Sequence, residues 1–343
     1  EEVREWYFEI WNEPDLTAFW SGSQSDYFKL YETAARAIKA IDPALRVGGP
    51  ATSGGRWIGE FLNHCKQNDI PVDFISTHAY GAEMALHDSK FNSGTMVSEK
   101  VKKVKQQIND SPFPDIELHI TEWGSTTSPF SELHDTANQA AFICKTVQSV
   151  NNLVDSFSYW TVSDIFEEQG MADRAFHGGF GLVTINGIKK PAFNAFSLLN
   201  ELGNEFIDVT HEPFNDDIGI IPTVSDETRE IKLLVWYFVD PRDDKEHDAH
   251  ILEFNVKKKG IFKDKTLEFN IHETSNTHGN AYETWKEMGS PRTISALQIE
   301  DLIQSGELAE CRHERTAIQD DEEVKMTVEM VPESVILIKL FVR

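Results

Sequence analysis

The chain has 343 residues, of which 40% are hydrophobic and 11% aromatic, enough for a large buried core and too many for a disordered polymer. Asp and Glu total 57 against 32 Lys and Arg, a formal net charge of -25. That charge repels a phosphate backbone and an anionic lipid surface, so neither nucleic acid nor a membrane is an expected partner, and a neutral substrate fits better. The length suggests one large and one smaller domain.

No stretch approaches the roughly 20 consecutive apolar residues of a membrane span, and the acidic start Glu1-Glu2 lacks the basic-then-apolar layout of a signal peptide. Cys65, Cys144 and Cys311 are odd in number, far apart and without metal-ligand spacing. Reduced, buried thiols and a cytoplasmic location are the corresponding expectation.

From residue 6 to about 205, short β-branched or aromatic runs alternate with helix-period stretches, the pattern of βα units around a parallel sheet. Trp6 to Trp11 is the first strand; Asp26 to Ile41 is a helix with Leu30, Ala34, Ala37, Ile38 and Ile41 at helical spacing, stopped at Asp42-Pro43. Strand Leu45 to Gly48, helix Trp57 to Lys66 and strand Phe74 to His78 follow, then helix Met96 to Asp110 and strand Glu117 to Thr121. Helix Thr136 to Asn151, strand Ser156 to Thr161 and helix Pro191 to Leu202 complete five βα units. Beyond about 210 the runs Ile231 to Val239, His250 to Val256, Thr266 to Ile271 and Val335 to Val342 predict a β-sandwich, which divides the chain into residues 1–205 and 206–343.

The first strand ends in Asn12-Glu13-Pro14, and Pro14 cannot continue a ladder, so Glu13 sits at a C-terminal strand tip. Thr121-Glu122-Trp123-Gly124 ends a later strand in the same way. In a parallel barrel the active site is built at the C-terminal strand ends, so the two carboxylates are expected to face one pocket. Two carboxylates about 5 to 5.5 Å apart are what double displacement at an anomeric carbon requires, one to protonate the leaving oxygen and one to attack. Trp11, Phe19, Trp20 and Trp123 crowd the two motifs, and sugar rings stack their C–H faces on aromatic walls. His78, Glu122, Asp164 and Glu13 contain no His-x-His or HExxH spacing, and no phosphate loop or dinucleotide fingerprint follows the first strand; neither a metal nor another cofactor is expected.

The blocks WYFEIWNEPDLTAFW, YETAARAIKAIDPALRVGGPAT, DFISTHAYG, ELHITEWGS, FSYWTVSDIFEE and FHGGFGLVTINGIKKPAFNAF resemble, in order and spacing, glycoside hydrolase family 39, specifically its bacterial β-xylosidases. NTHGNAYETWKEMGSPRTISALQIEDLIQSGEL resembles the family's accessory β-sandwich. The resemblance implies a (β/α)8 TIM-type barrel followed by a C-terminal β-sandwich, and a retaining, exo-acting hydrolase that releases xylose from oligosaccharides. It implies Glu13 as acid/base and Glu122 as nucleophile. Asn12 would bond the sugar 2-hydroxyl, His78 and Tyr80 would contact substrate or position the nucleophile, Trp160 would form an aromatic floor, and Glu167 would meet a sugar hydroxyl. The loop Phe176-His177-Gly178-Gly179 resembles one that rims the site.

The family's NEP motif closes the fourth barrel strand, whereas here it closes the first strand found, so roughly the first three βα units are expected to be lacking. An open strand edge at residues 6 to 11 then implies a homo-oligomer that covers it.

Overall fold

The computed structural model describes residues 1–81, 94–166, 170–209, 216–228, 230–257, 265–318 and 323–342. By contact density the chain forms two compact units, residues 1–83, 95–127 and 149–160 in one and residues 84–94, 128–148 and 161–343 in the other.

The first unit is built on a five-stranded sheet of β1 (Tyr7–Glu9), β2 (Arg46–Ser53), β3 (Phe74–Tyr80), β4 (Glu117–Gly124) and β5 (Ser156–Tyr159), arranged in sequence order. All four pairings are parallel. The unit's helices include α1 (Gln24–Ile41), α2 (Ile58–Gln67) and α3 (Met96–Asn109), whereas α4 (Ala137–Val150), between β4 and β5 in sequence, belongs almost wholly to the second unit. α1 begins two residues before the predicted start because Ser23 and Asp26 form a reciprocal capping box, Ser23 Oγ accepting the Asp26 N–H and Asp26 Oδ2 the Ser23 N–H. Its face Tyr27, Phe28, Tyr31 and Ala35 is buried. Every residue of β3 is buried, as expected of an inner parallel strand.

The described residues thus supply the five predicted parallel strands, but not a closed eight-stranded barrel. The sheet is nevertheless curled. Side chains of β1 reach across two strands to β4, with the Tyr7 hydroxyl donating to Glu117 Oε2 at 2.9 Å and the Thr121 hydroxyl to Glu9 Oε1 at 2.7 Å. A flat sheet, with strands about 4.8 Å apart, would hold such residues more than 14 Å from one another. β2 runs on to Ser53 where the sequence reading stopped at Gly48, because a bulge at Ala51 carries the strand past Gly49-Pro50.

The second unit contains α5 (Pro191–Asn200) and an antiparallel six-stranded sheet of β6 (Glu205–Phe206), β7 (Ile218–Val224), β8 (Ile231–Tyr237), β10 (Lys265–Thr274), β11 (Glu310–Ile318) and β13 (Ser334–Val342). β9 (His250–Lys257) and β12 (Glu323–Met330) form a separate two-stranded sheet. One core joins the two sheets, with Val235, Tyr237, Phe269 and Ile338 from the larger and Met326, Val328 and Met330 from the smaller, so the region is a β-sandwich of unequal sheets. α6 (Ala281–Glu287) and α7 (Ala296–Gly306) interrupt it between β10 and β11, in a segment read from the sequence only as sandwich. Tyr282, Trp285 and Leu302 of these helices pack with Phe176 and Ile188. Cys65 and Cys144 are buried and unpaired as expected, whereas Cys311 lies exposed on the outer strand β11. Among the described residues no helix is long and apolar enough to cross a membrane.

The second unit also buries a charge cluster that the sequence did not announce. Lys190 Nζ lies 2.6 Å from Asp135 Oδ1, 2.7 Å from Asp164 Oδ2 and donates to the Gly179 carbonyl at 3.0 Å, with none of the three side chains more than 2% exposed. Burial alone would lower the Lys190 pKa, but the two carboxylates raise it above its ordinary value and keep the ammonium charged. The outer oxygens of the same carboxylates accept backbone N–H groups, Asp135 from Gly178 and Asp164 from Gly181, each at 2.7 Å. The Phe176-His177-Gly178-Gly179 loop is therefore tied down by electrostatics; Gly178 holds φ +77°, and a Cβ there would strike the backbone of Phe130 and Ser131 at 2.6 Å. Lys190→Met leaves two carboxylates buried without their cation and should cost about 3–5 kcal/mol in urea unfolding. A loss below about 1 kcal/mol would show that the cluster does not hold the loop.

Candidate active site

The backbone leaves β1 under strain. Trp11 and Glu13 adopt left-handed conformations, φ +73° and +43°, at a cost of order 1 kcal/mol or more each for non-glycine residues. The strain is held by bonds to β2: the Ile10 N–H donates to the Gly48 carbonyl at 3.1 Å and the Glu13 N–H to the Ala51 carbonyl at 2.9 Å. Ala51 is itself left-handed, φ +52°, and is the extra residue of the β2 bulge. Asp15 braces the following turn, its buried carboxylate accepting the Ser53 N–H at 2.9 Å and lying 2.7 Å from Arg56 Nε.

A second bulge sets the other glutamate. Thr77 of β3 opposes Ile120 of β4, but the next residue, His78, opposes Glu122, so Thr121 is the extra residue on β4. The inserted residue lets the Thr121 hydroxyl meet Glu9 while Glu122 is placed beside His78. Bulges at strand ends re-aim side chains in this way, and here one lies next to each glutamate.

The result is a compact cluster. His78 Nδ1 lies 2.9 Å from Glu13 Oε1 and 3.6 Å from Glu122 Oε2. One ligand atom from each of Glu13, His78 and Glu122 lies within 4.8 Å of the others, so a carboxylate oxygen of Glu13 approaches one of Glu122 to that distance. Such a trio could also hold a metal ion. Asp164, the fourth residue weighed for a metal, faces Lys190 in the other unit. The Tyr80 hydroxyl donates a hydrogen bond to Glu122 Oε1 and fixes the rotation of that carboxylate. Burial, then the neighbouring Glu122 charge, raises the Tyr80 pKa well above 10, so the phenol stays a donor. Burial by itself would lower the His78 pKa; the hydrogen bond with Glu13 and the charges of Glu122, Glu13 and Glu9 outweigh it and raise the pKa above the usual 6.5.

Of the residues singled out from sequence, Glu13, His78, Tyr80 and Glu122 are brought together. Asn12 stands beside Glu13, exposed to solvent. Trp160 follows the end of β5, half-buried, with its N–H bonded to the Trp123 carbonyl at 2.9 Å. Glu167 lies outside the described residues. Trp123, read as part of an aromatic wall, is fully buried and stacked on Phe157 at 4.1 Å, a core residue instead. Glu9 and Asp15 were missed: the curl of the sheet brings Glu9 to Thr121 and Asp15 is held by Ser53 and Arg56, contacts that neither residue's neighbours in sequence announce.

A parallel α/β sheet with paired glutamates at the C-terminal tips of two strands places this chain among the α/β proteins whose chemistry is built at strand ends. The family model for glycosyl hydrolases family 39 matches residues 1–316, and the chain belongs to that family. It is 39% identical over 313 residues to a β-xylosidase of Geobacillus stearothermophilus, covering 88% of this chain and 59% of that protein. It is 37% identical over 350 residues to a β-xylosidase of Caldicellulosiruptor saccharolyticus, covering 99% of this chain and 68% of that one. The crystal structure of a monomeric β-xylosidase from Caulobacter crescentus superposes with a TM-score of 0.84 at 33% identity, covering 99% of this chain and 70% of that chain.

The raised His78 pKa fixes the sign of a pH effect. Protonated His78 stabilises the fold fully below its unfolded pKa of about 6.5, and that contribution is lost as pH rises through the higher folded value. Urea melts should therefore show His78→Gln destabilised relative to wild type by more at pH 6 than at pH 9. A difference independent of pH would mean that the histidine is not held charged between the glutamates.

Proposed function

We propose that the protein is a retaining β-glycosidase, and specifically an exo-acting β-xylosidase that releases xylose from xylo-oligosaccharides by double displacement. The approach of the Glu13 and Glu122 carboxylates to within 4.8 Å carries this reading, because retaining enzymes hold their two carboxyl groups about 5–5.5 Å apart whereas inverting enzymes leave about 6.5–9.5 Å for a water. The choice of xylose is supported by the β-xylosidases that the chain resembles across most of its length.

In the first half-reaction the Glu122 carboxylate attacks the anomeric carbon as the bond to the leaving oxygen breaks, and Glu13 gives its proton to that oxygen. In the second, Glu13 takes a proton from water, the water oxygen bonds to the anomeric carbon, and the ester bond to Glu122 breaks. Tyr80 orients the nucleophile in both steps. His78, facing both carboxylates, offsets their mutual repulsion and the change in charge as each turns over. Asn12, Trp160 and Glu167 are the proposed sugar contacts.

Glu122→Ala should abolish turnover of every glycoside. Glu13→Ala should lower kcat/KM by about 100- to 10,000-fold on a substrate with a poor leaving group, and much less on a dinitrophenyl glycoside, whose leaving group needs no proton; kcat falls on both, because the second step loses its base. Equal losses of kcat/KM on both substrates for Glu13→Ala, or a fully active Glu122→Ala, would refute the assignment.

A further inference from the structure

We infer that Trp11, together with Phe19 and Trp20, forms the subsite that receives the leaving group, and that this subsite is built for a neutral sugar or aryl ring. The inference rests on the reading of Glu13 as the acid. A general acid must lie within hydrogen-bond reach of the oxygen it protonates, so the departing ring is bounded by the segment that carries Glu13. That segment, the turn between β1 and α1, holds all three aromatics within ten residues of one another.

The two indole rings are ordered before any ligand arrives. Trp11 Nε1 donates to the Phe19 carbonyl and Trp20 Nε1 to the Ser23 carbonyl, both at 3.1 Å, and the Trp11 and Trp20 rings meet edge to face at 5.4 Å. Trp20 in turn packs edge-on against the buried Tyr27, whose hydroxyl donates to the Ile10 carbonyl just ahead of Trp11. Both indole N–H groups are thus committed to backbone, and what the rings offer is carbon surface. Trp11 remains 49% exposed and Phe19 38%.

A tryptophan in left-handed backbone, with its polar edge satisfied and half its surface in water, is an expensive way to end a strand. Stacking of an apolar sugar or aryl face on Trp11 would cover that surface with little loss of side-chain freedom, since the two indole rings are already held. Two other exposed aromatics flank this edge and lie away from the turn that carries Glu13: Tyr7 donates to Glu117 and lies under the Arg46 guanidinium at 4.7 Å, and Trp6, 52% exposed, sits against Phe8 at 6.4 Å. The net charge of -25 further favours an uncharged occupant over an anionic one.

The test compares two substrates that share the glycon and differ in the leaving group: β-1,4-xylobiose, whose second ring would fill the subsite, and β-xylosyl fluoride, whose leaving group is one atom. Trp11→Ala in the full chain should lower kcat/KM for xylobiose at least about 10-fold more than for the fluoride, and Trp11→Phe should recover most of the difference. Phe19→Ala keeps the backbone carbonyl that Trp11 binds and should shift the same ratio in the same direction, which keeps the test valid should Trp11→Ala fail to fold. An unchanged ratio in the variants of a wild type that turns over both substrates would overturn the subsite and leave the catalytic assignment standing. A folded wild type that turns over neither substrate would overturn both.

Discussion

Everything at this site depends on holding two carboxylates against each other. At less than 5 Å in a half-buried setting, Glu13 and Glu122 repel, and the chain meets that cost with one imidazole, His78, whose Nδ1 faces both. His78 is itself 2% exposed, so its charge would be costly without the two glutamates. The three groups are mutually dependent. Removing His78 leaves the two carboxylates facing each other without a cation, and the Tyr80 hydroxyl adds a fixed dipole that chooses the orientation of Glu122.

The sheet exists in the form required to assemble that cluster. Regular pairing would carry the alternation of β2 and β4 straight through to their ends; a single inserted residue in each, Ala51 and Thr121, breaks the alternation next to Glu13 and Glu122 respectively. Three left-handed residues near the first glutamate store strain that hydrogen bonds to β2 and the buried Asp15 hold in place. Curling brings Glu9 and Thr121 together across the concave face, and so adds one more negative charge to the surroundings of His78. Strain and repulsion at the strand tips are thus offset by ordinary packing and pairing lower in the sheet.

Much of this was legible in the sequence because it is local. Pro14 after Glu13 marks a strand tip, and the short β-branched and aromatic runs at Phe74 and Glu117 mark strands. The helix ending at Ile41 was legible too, but not its buried face, which is Tyr27, Phe28, Tyr31 and Ala35 and not the Leu30, Ala34, Ala37, Ile38 and Ile41 stripe, of which Ile41 is 81% exposed. What was not legible depends on contacts far apart in the chain. A bulge at Ala51 looks like a turn when read as Gly-Gly-Pro, so β2 was expected to stop at Gly48. Trp123 looks like a sugar platform until Phe157 is found stacked on it. Lys190, Asp135 and Asp164 are separated by up to 55 positions, and nothing near any of them signals that they meet. α6 and α7 were absorbed into the expected sandwich, although Asn280 and the Ser295–Gln298 capping box mark their starts.

The central claim is that Glu13 and Glu122 act as a retaining pair. The most direct measurement follows the configuration of the sugar first released from an aryl β-xyloside by proton NMR, before mutarotation scrambles it. The account predicts the β-anomer first, with no release by Glu122→Gln. Initial release of the α-anomer would mean that a water, and not Glu122, reaches the anomeric carbon, and would contradict the account at its centre.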